Sequence, residues 1–261
     1  MVTWVARVQS IKATPIVKFH FLGTTGYHPN EQRQTACMMI PELGIIFDAG
    51  TGMFRARDLI QTKTLDIFMS HAHLDHSVGL TFLYDVLNEK TMERVTVHVA
   101  QEKIKAIENH LFASALFPVG PNFELVPLES SVKIADATID SIAMDHPGGS
   151  HGFRMAVGQK KLAYITDTTA TPDADYIDFI KDVDVLVHEC YFPDGFEDQA
   201  KLTGHSCLTP VAQVAAAANA GAMYLVHINP LNGEEHPLDL DSVKAIYSPI
   251  TVATDKMSID I

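Results

Sequence analysis

The chain of 261 residues sets 32 acidic side chains against 19 basic ones, a formal charge of −13. A nucleic-acid binder gains affinity from basic side chains that replace counterions, so this balance disfavours a polyanionic partner while leaving room for a local basic patch. With 47% apolar residues there is material for a sizeable core, but no run of eighteen apolar residues suggests a membrane span.

Met1 to Ala13 holds no apolar run ending at a small-residue cleavage site, so no signal peptide is expected. Ile16 to Leu22 reads as a strand, broken by Gly23-Thr24-Thr25-Gly26, and the loop from Tyr27 to Thr35 carries His28 and Arg33. Ala36–Ile40 and Gly44–Phe47 form a predicted hairpin, closed by Asp48-Ala49-Gly50-Thr51-Gly52. Asp-x-Gly turns are common, so that stretch alone is weak evidence for a site. Leu65 to Met69 is an apolar run of buried-strand type, and Ser77 to Asn88 reads as a helix with Leu80, Leu83, Tyr84 and Leu87 on one face. A strand at Val95–Val99 and a helix from Gln101 to about Leu111 follow. The proline-marked apolar stretch from Phe112 to Phe123 fits either core or the lip of a pocket. Ala137–Met144 is a strand, Phe153–Val157 and Leu162–Thr166 a hairpin, and Thr171–Ile180 a helix. Val183–Val187 is a strand ending at His188-Glu189. Thr209 and Pro210 are expected to cap and open a helix that stops at Gly221, before a last strand, Met223–Val226, ends at His227. Cys37, Cys190 and Cys207 form no CxxC pair and read as reduced structural thiols, which places the protein in the cytoplasm.

Chemistry concentrates where strands end. His71-Ala72-His73-Leu74-Asp75-His76 packs three imidazoles and a carboxylate into six positions. In an extended segment His71 and His73 project to the same side, and imidazole with carboxylate suits zinc or a similar first-row metal. So many close ligands suggest two adjacent ions. Further strand ends carry His146, Asp167 and His227. Taken singly, each would be an ordinary loop or cap residue; their order behind the first cluster makes them candidate ligands.

Read together, these residues resemble the metallo-β-lactamase-fold hydrolases, over nearly the whole chain. The resemblance implies an α+β fold, a four-layer αβ/βα sandwich of two facing mixed β-sheets flanked by helices, with 1–261 as a single domain. It also implies two divalent ions, zinc first and manganese or iron as alternatives. His71, His73 and His146 would hold one, Asp75, His76 and His227 the other, with Asp167 bridging and a metal-bridging hydroxide attacking the substrate. Phe21-Leu22-Gly23-Thr24, Tyr164-Ile165-Thr166-Asp167-Thr168, Val187-His188-Glu189 and Gly204-His205-Ser206 look like the ribonuclease Z and phosphodiesterase branch. There His205 would meet the phosphate or leaving group as a proton donor, oriented by Glu189. Asp75 belongs to both the ligand and the catalytic sets.

The expected substrate is a small linear or cyclic phosphodiester. Ribonuclease Z enzymes that mature transfer RNA usually carry an RNA-gripping arm, and the short stretch between His146 and Asp167 has no room for one. His28, Arg33 and Ser150, with the backbone near Gly148-Gly149, are the candidate substrate contacts. The alternatives are a ribonuclease Z-type endonuclease at transfer RNA 3′ ends, or a thioester, lactone or β-lactam hydrolase on the same fold. An amidohydrolase also begins with HxH, but its barrel needs a longer chain and its last ligand is an aspartate. A metal-binding scaffold without catalysis is the non-enzyme reading. No membrane partner is expected, and a homodimer is compatible with the sequence.

Overall fold

The computed structural model describes residues 17–232 and 238–261. The expectations for Met1–Ala13 and for Ile16 lie outside the described residues. Among the described residues, fourteen strands form two seven-stranded mixed sheets. The first six strands are β1 (Lys18–Gly23), β2 (Cys37–Ile40), β3 (Ile45–Phe47), β4 (Thr64–Phe68), β5 (Arg94–Val99) and β6 (Glu124–Pro127). The chain then crosses into the second sheet with β7 (Ser131–Ile134), β8 (Ala137–Met144), β9 (Ser150–Val157), β10 (Lys160–Ile165), β11 (Val185–Glu189), β12 (Ala222–Val226) and β13 (Ile250–Val252). β14 (Ser258–Asp260) returns to the first. The orders are β14-β1-β2-β3-β4-β5-β6 and β13-β12-β11-β10-β9-β8-β7. Short links, β6 to β7 and β13 to β14, therefore join the sheets at both edges.

Alternation along the strands builds the layers, because successive side chains point to opposite faces. On β4, Leu65 and Ile67 pack with Leu80, Leu83 and Val86 on the helical side, while Phe68 joins Phe19, Phe47, Phe153 and Tyr164 between the sheets. On β10 and β12, Ile165, Met223 and Leu225 face Val211, Ala212 and Ala215 of a helix, while Tyr164 and Val226 point inward. The result is the expected four layers. Among the described residues, no helix is long and apolar enough to cross a membrane.

Several expected helices differ in detail. The helix expected at Ser77–Asn88 begins earlier, as α1 (Leu74–Ser77), tightens into a 3-10 segment at Val78–Phe82 and resumes as α2 (Leu83–Val86). Gly79 donates its amide to Ala49 O (2.7 Å), which docks the turn on the Asp48–Gly52 loop. α3 (Gln101–Ala106) widens into a π turn at Ile107–Leu111. Thr171–Ile180 is a chain of turns instead of a helix, held by i to i+3 and i+4 bonds such as Ala174 N to Thr171 O and Ile180 N to Tyr176 O. Pro172 and three aspartates favour turns over helix interior, while buried Tyr176 and Ile180 imitate helical spacing. α4 (Glu197–Thr203) precedes α5 (Leu208–Ala217), whose N-cap is Cys207 and not Thr209. Thr209 instead donates through its amide and hydroxyl to Asp194. The Phe112–Phe123 stretch divides its roles: Phe112 is buried in the core, with Phe117 and Phe123 packed against it, while Leu116 is exposed.

Candidate metal centre

The strand ends that carry the candidate ligands meet at one edge of the sandwich. His71 follows β4, His146 follows β8, Asp167 follows β10 and His227 follows β12. Asp167 sits between two histidine sets. Its Oδ2 lies 3.5 Å from His71 Nε2 and 3.6 Å from His146 Nε2, while Oδ1 lies 3.2 Å from His76 Nε2 and 3.3 Å from His227 Nε2. His73 Nδ1 approaches His146 Nε2 at 3.4 Å, and Asp75 Oδ2 approaches His227 Nε2 at 3.3 Å. Two groups of donor atoms converge within 4.8 Å: His71, His73, His146 and Asp167, then Asp75, His76 and His227. A third such group, Asp167, His205 and His227, places His205 against two of the candidate ligands.

The tautomers suit cation binding. Ser70 Oγ donates to Asp48 (2.9 Å), so His71 Nδ1 donates to Ser70 Oγ (3.0 Å) and turns the lone pair of Nε2 toward Asp167. That Nε2 is buried without a hydrogen-bond partner, as is His227 Nδ1. A buried lone pair facing a carboxylate and other imidazoles is what a bound cation satisfies. His146 Nδ1 donates to Gly204 O (2.9 Å), and His76 Nδ1 to Asp48 Oδ2 (2.9 Å). These outer partners fix ring orientation. The donor set therefore fits divalent ions.

Electrostatics separate the members. Burial, reinforced by the positive charge of His76, lowers His71 well below the ordinary histidine range. His73 and His146 are also lowered, burial again leading. His76 behaves oppositely: burial would lower it, but Asp167, Asp75 and Asp48 raise it well above that range. Asp167 would be raised by burial, yet His227, His76 and His71 hold it well below the usual carboxylate range.

Backbone strain accompanies the cluster. Asp48, Asp167 and His227 all have positive φ, 57°, 45° and 56°, conformations that non-glycine residues adopt at a cost and that collect at functional sites. Gly26 runs directly beneath His227; a Cβ there would sit 2.2 Å from the ring's Cε1. Gly204 closes α4 in the left-handed region, φ 74°, and passes its carbonyl to His146 before His205 begins the next segment.

Beside the cluster, His205 Nδ1 lies 3.3 Å from Glu189 Oε1. Glu189 is fully buried and also accepts from Thr168 N (3.0 Å) and Ser206 N (3.3 Å). Burial would lower His205, but the Glu189 carboxylate outweighs it and raises the imidazole above its ordinary value.

The candidate substrate contacts fare unequally. Tyr27 N donates to Asp75 Oδ2 (2.7 Å), which leaves its exposed neighbour His28 at the rim. Arg33 is not at the cluster: it is buried, and Nη1 donates to Thr24 Oγ1 and Ala253 O, both at 2.5 Å. A charged residue in a polar loop suggests exposure, but one backbone carbonyl and one hydroxyl hold this one. Ser150 is likewise buried, its hydroxyl donating to Thr166 O (3.3 Å) instead of facing a ligand. Gly149 N is spent on His146 O (2.8 Å). Sequence reading passed over Asp48, which accepts from Ser70, His76 and, at 2.8 Å, Tyr164 Oη. Its only signal was the Asp-Ala-Gly-Thr-Gly turn.

Such a sandwich, with histidines and carboxylates gathered at its strand ends, defines a metal-dependent hydrolase of the metallo-β-lactamase fold. Residues 44–228 match the family described as the Beta-lactamase superfamily domain, and the chain belongs to that family. A ribonuclease Z of Archaeoglobus fulgidus is 23% identical over 307 aligned positions, covering 94% of this chain and 98% of the relative. The metallo-β-lactamase-fold protein YhfI of Bacillus subtilis superposes with a TM-score of 0.79 at 17% identity, over 93% of this chain and 99% of that one. The short form of human tRNase Z superposes with a TM-score of 0.72 at 18% identity, over 93% and 98%.

Proposed function

We propose that this hydrolase cleaves phosphodiester bonds with two divalent ions bound, zinc first among the metals. His71, His73 and His146 would hold one ion and Asp75, His76 and His227 the other. Asp167 would serve both through its two oxygens, which face separate histidine sets. Ions held there supply Lewis-acid charge to the phosphate and a nucleophile at neutral pH. The observation that carries the phosphodiester reading is the His205–Glu189 pair against the cluster. Glu189 engages Nδ1 and raises the imidazole above its ordinary value, which suits His205 to give a proton from Nε2 to the leaving oxygen. Asp75 accepts from the Tyr27 amide and so fixes the start of the loop that carries His28. Both sheets contribute to one inner core, which supports a single functional unit, and three buried free cysteines support a reducing compartment.

Among substrates we place RNA first, as in a ribonuclease Z acting at transfer RNA 3′ ends, because the A. fulgidus ribonuclease Z aligns over almost its full length. This reverses the order expected from the sequence. A second reading, small linear or cyclic diesters, has its own observation. β9 and β10 are joined by Gly158 and Gln159 alone, so the path from His146 to Asp167 is a bare hairpin. The alignment of 307 positions exceeds this chain of 261 residues, so the relative carries segments that this chain lacks.

The test compares kcat/KM for a precursor transfer RNA, a cyclic nucleotide, a nitrophenyl phosphodiester and a chromogenic β-lactam. Efficient cleavage of the precursor, falling steeply with salt, is the expected result. Preference for the small diesters would move the second reading to first place. Turnover of the β-lactam without diesterase activity would overturn both. His205→Ala should retain its metal and lose about 100- to 10,000-fold in rate, less with a nitrophenolate leaving group that needs little protonation. A variant that sheds metal instead would make His205 a ligand.

A further inference from the structure

Glu189 alone does not fix His205. One hydrogen bond to Nδ1 sets a point on the ring and leaves its plane free to tilt. The plane is set by aromatic neighbours. Tyr191 stacks on His205 with centroids 4.9 Å apart and planes 19° from parallel, and His227 lies 5.0 Å away at 30°. Tyr191 and His227 are themselves 5.8 Å apart and tilted by 44°, so the three rings pack as a triangle in which Tyr191 and His227 both bear on the His205 ring.

The Tyr191 ring is in turn held from behind. Phe192 N donates to Ser206 O (3.1 Å), and a bridge pairs Phe192 with Cys207, which locks the loop after β11 alongside the segment that carries His205. Phe192 meets Tyr191 edge-on at 4.9 Å and stacks on Phe196 at 6.0 Å. Offset and edgewise aromatic pairs attract one another beyond the area they bury, which favours one ring orientation over its alternatives.

We infer that Tyr191 is a positioning residue for the phosphodiester reaction: its ring face holds the His205 imidazole in the plane that presents Nε2 to the leaving oxygen. This rests on the proposed proton-donor role of His205. The working part is the aromatic face and not the hydroxyl, so Tyr191→Phe should act like the parent and Tyr191→Leu should not. A misplacement near 1 Å costs about 100-fold. Tyr191→Leu should therefore lose about 10- to 100-fold in kcat with little change in KM, with its metal retained. The loss should shrink on the nitrophenyl diester relative to a phenyl or alkyl one, as for His205→Ala.

The decisive experiment is a double-mutant cycle of Tyr191→Leu and His205→Ala in the metal-loaded enzyme. The inference expects Tyr191→Leu to cost nothing further once His205 is gone. Metal-free protein supplies a second readout: the imidazole protons of His205 should keep their ring-current shift in Tyr191→Phe and lose it in Tyr191→Leu. Additive losses, a loss confined to KM, or failure of Tyr191→Phe to rescue would each overturn the inference. If His205→Ala itself shows no dependence on the leaving group, the proton-donor reading fails first. If that variant behaves as expected and the cycle is additive, only the role of Tyr191 falls. Should Tyr191→Leu not fold, Tyr191→His keeps an aromatic face and must retain the parent's leaving-group dependence.

Discussion

The candidate ligands differ in how readily they release a proton. His71, His73 and His146 are lowered by burial and carry free lone pairs near neutral pH. His76 is raised well above the ordinary histidine value by Asp167, Asp75 and Asp48, so the metal-free site stores a proton there. A metal must displace it, because an imidazole ligand has to be neutral. The sign follows: metal uptake at neutral pH releases protons, and apparent affinity rises with pH. Calorimetry of zinc uptake in buffers of different ionisation enthalpy checks this, with net proton release expected. Affinity unchanged from pH 6 to 8 would show that His76 is already neutral.

At the scale of elements, glycine placement decides whether the rings can converge. A Cβ on Gly26 would lie 2.2–2.6 Å from three atoms of the His227 ring. Gly26→Ala should therefore push His227 away and cost about 100-fold in activity, with weaker metal retention and little change in far-ultraviolet circular dichroism. Parent-like activity would mean that the loop from Gly23 to Tyr27 yields easily. Such close approaches are invisible in sequence, where Gly23-Thr24-Thr25-Gly26 reads only as a break. The His71–His76 motif was legible because two-residue spacing at a strand end has one geometric meaning, and His146, Asp167 and His227 followed from their order. Asp48 was not, since an Asp-x-Gly turn carries no mark of the histidine it orients 28 residues later. Arg33 was misplaced because a single charge says nothing about the carbonyl waiting at Ala253. The Thr171–Ile180 turns resemble a helix in sequence because apolar Tyr176 and Ile180 stand four residues apart, and the structure buries both.

Across the whole molecule, the candidate ligands come from both sheets. His71, His73, Asp75 and His76 hang from β4 of one, and His146, Asp167 and His227 from β8, β10 and β12 of the other. Ions bound between them would clamp the sandwich at its open end. A ligand at 100 times its Kd stabilises by about 2.7 kcal/mol. For a chain of this size that corresponds to roughly 5–10 °C in Tm, to be read by calorimetry with and without zinc. An unchanged Tm would mean that zinc does not bind the folded chain in preference to the unfolded one.

The most direct measurement is a zinc titration of metal-free protein, following hydrolysis of a nitrophenyl phosphodiester at each step. With Asp167 shared between two histidine sets, diesterase activity should climb and level off at two equivalents of zinc per chain. A plateau at one equivalent would contradict the dinuclear centre, and no diester hydrolysis at any loading with zinc or manganese would contradict the reaction itself.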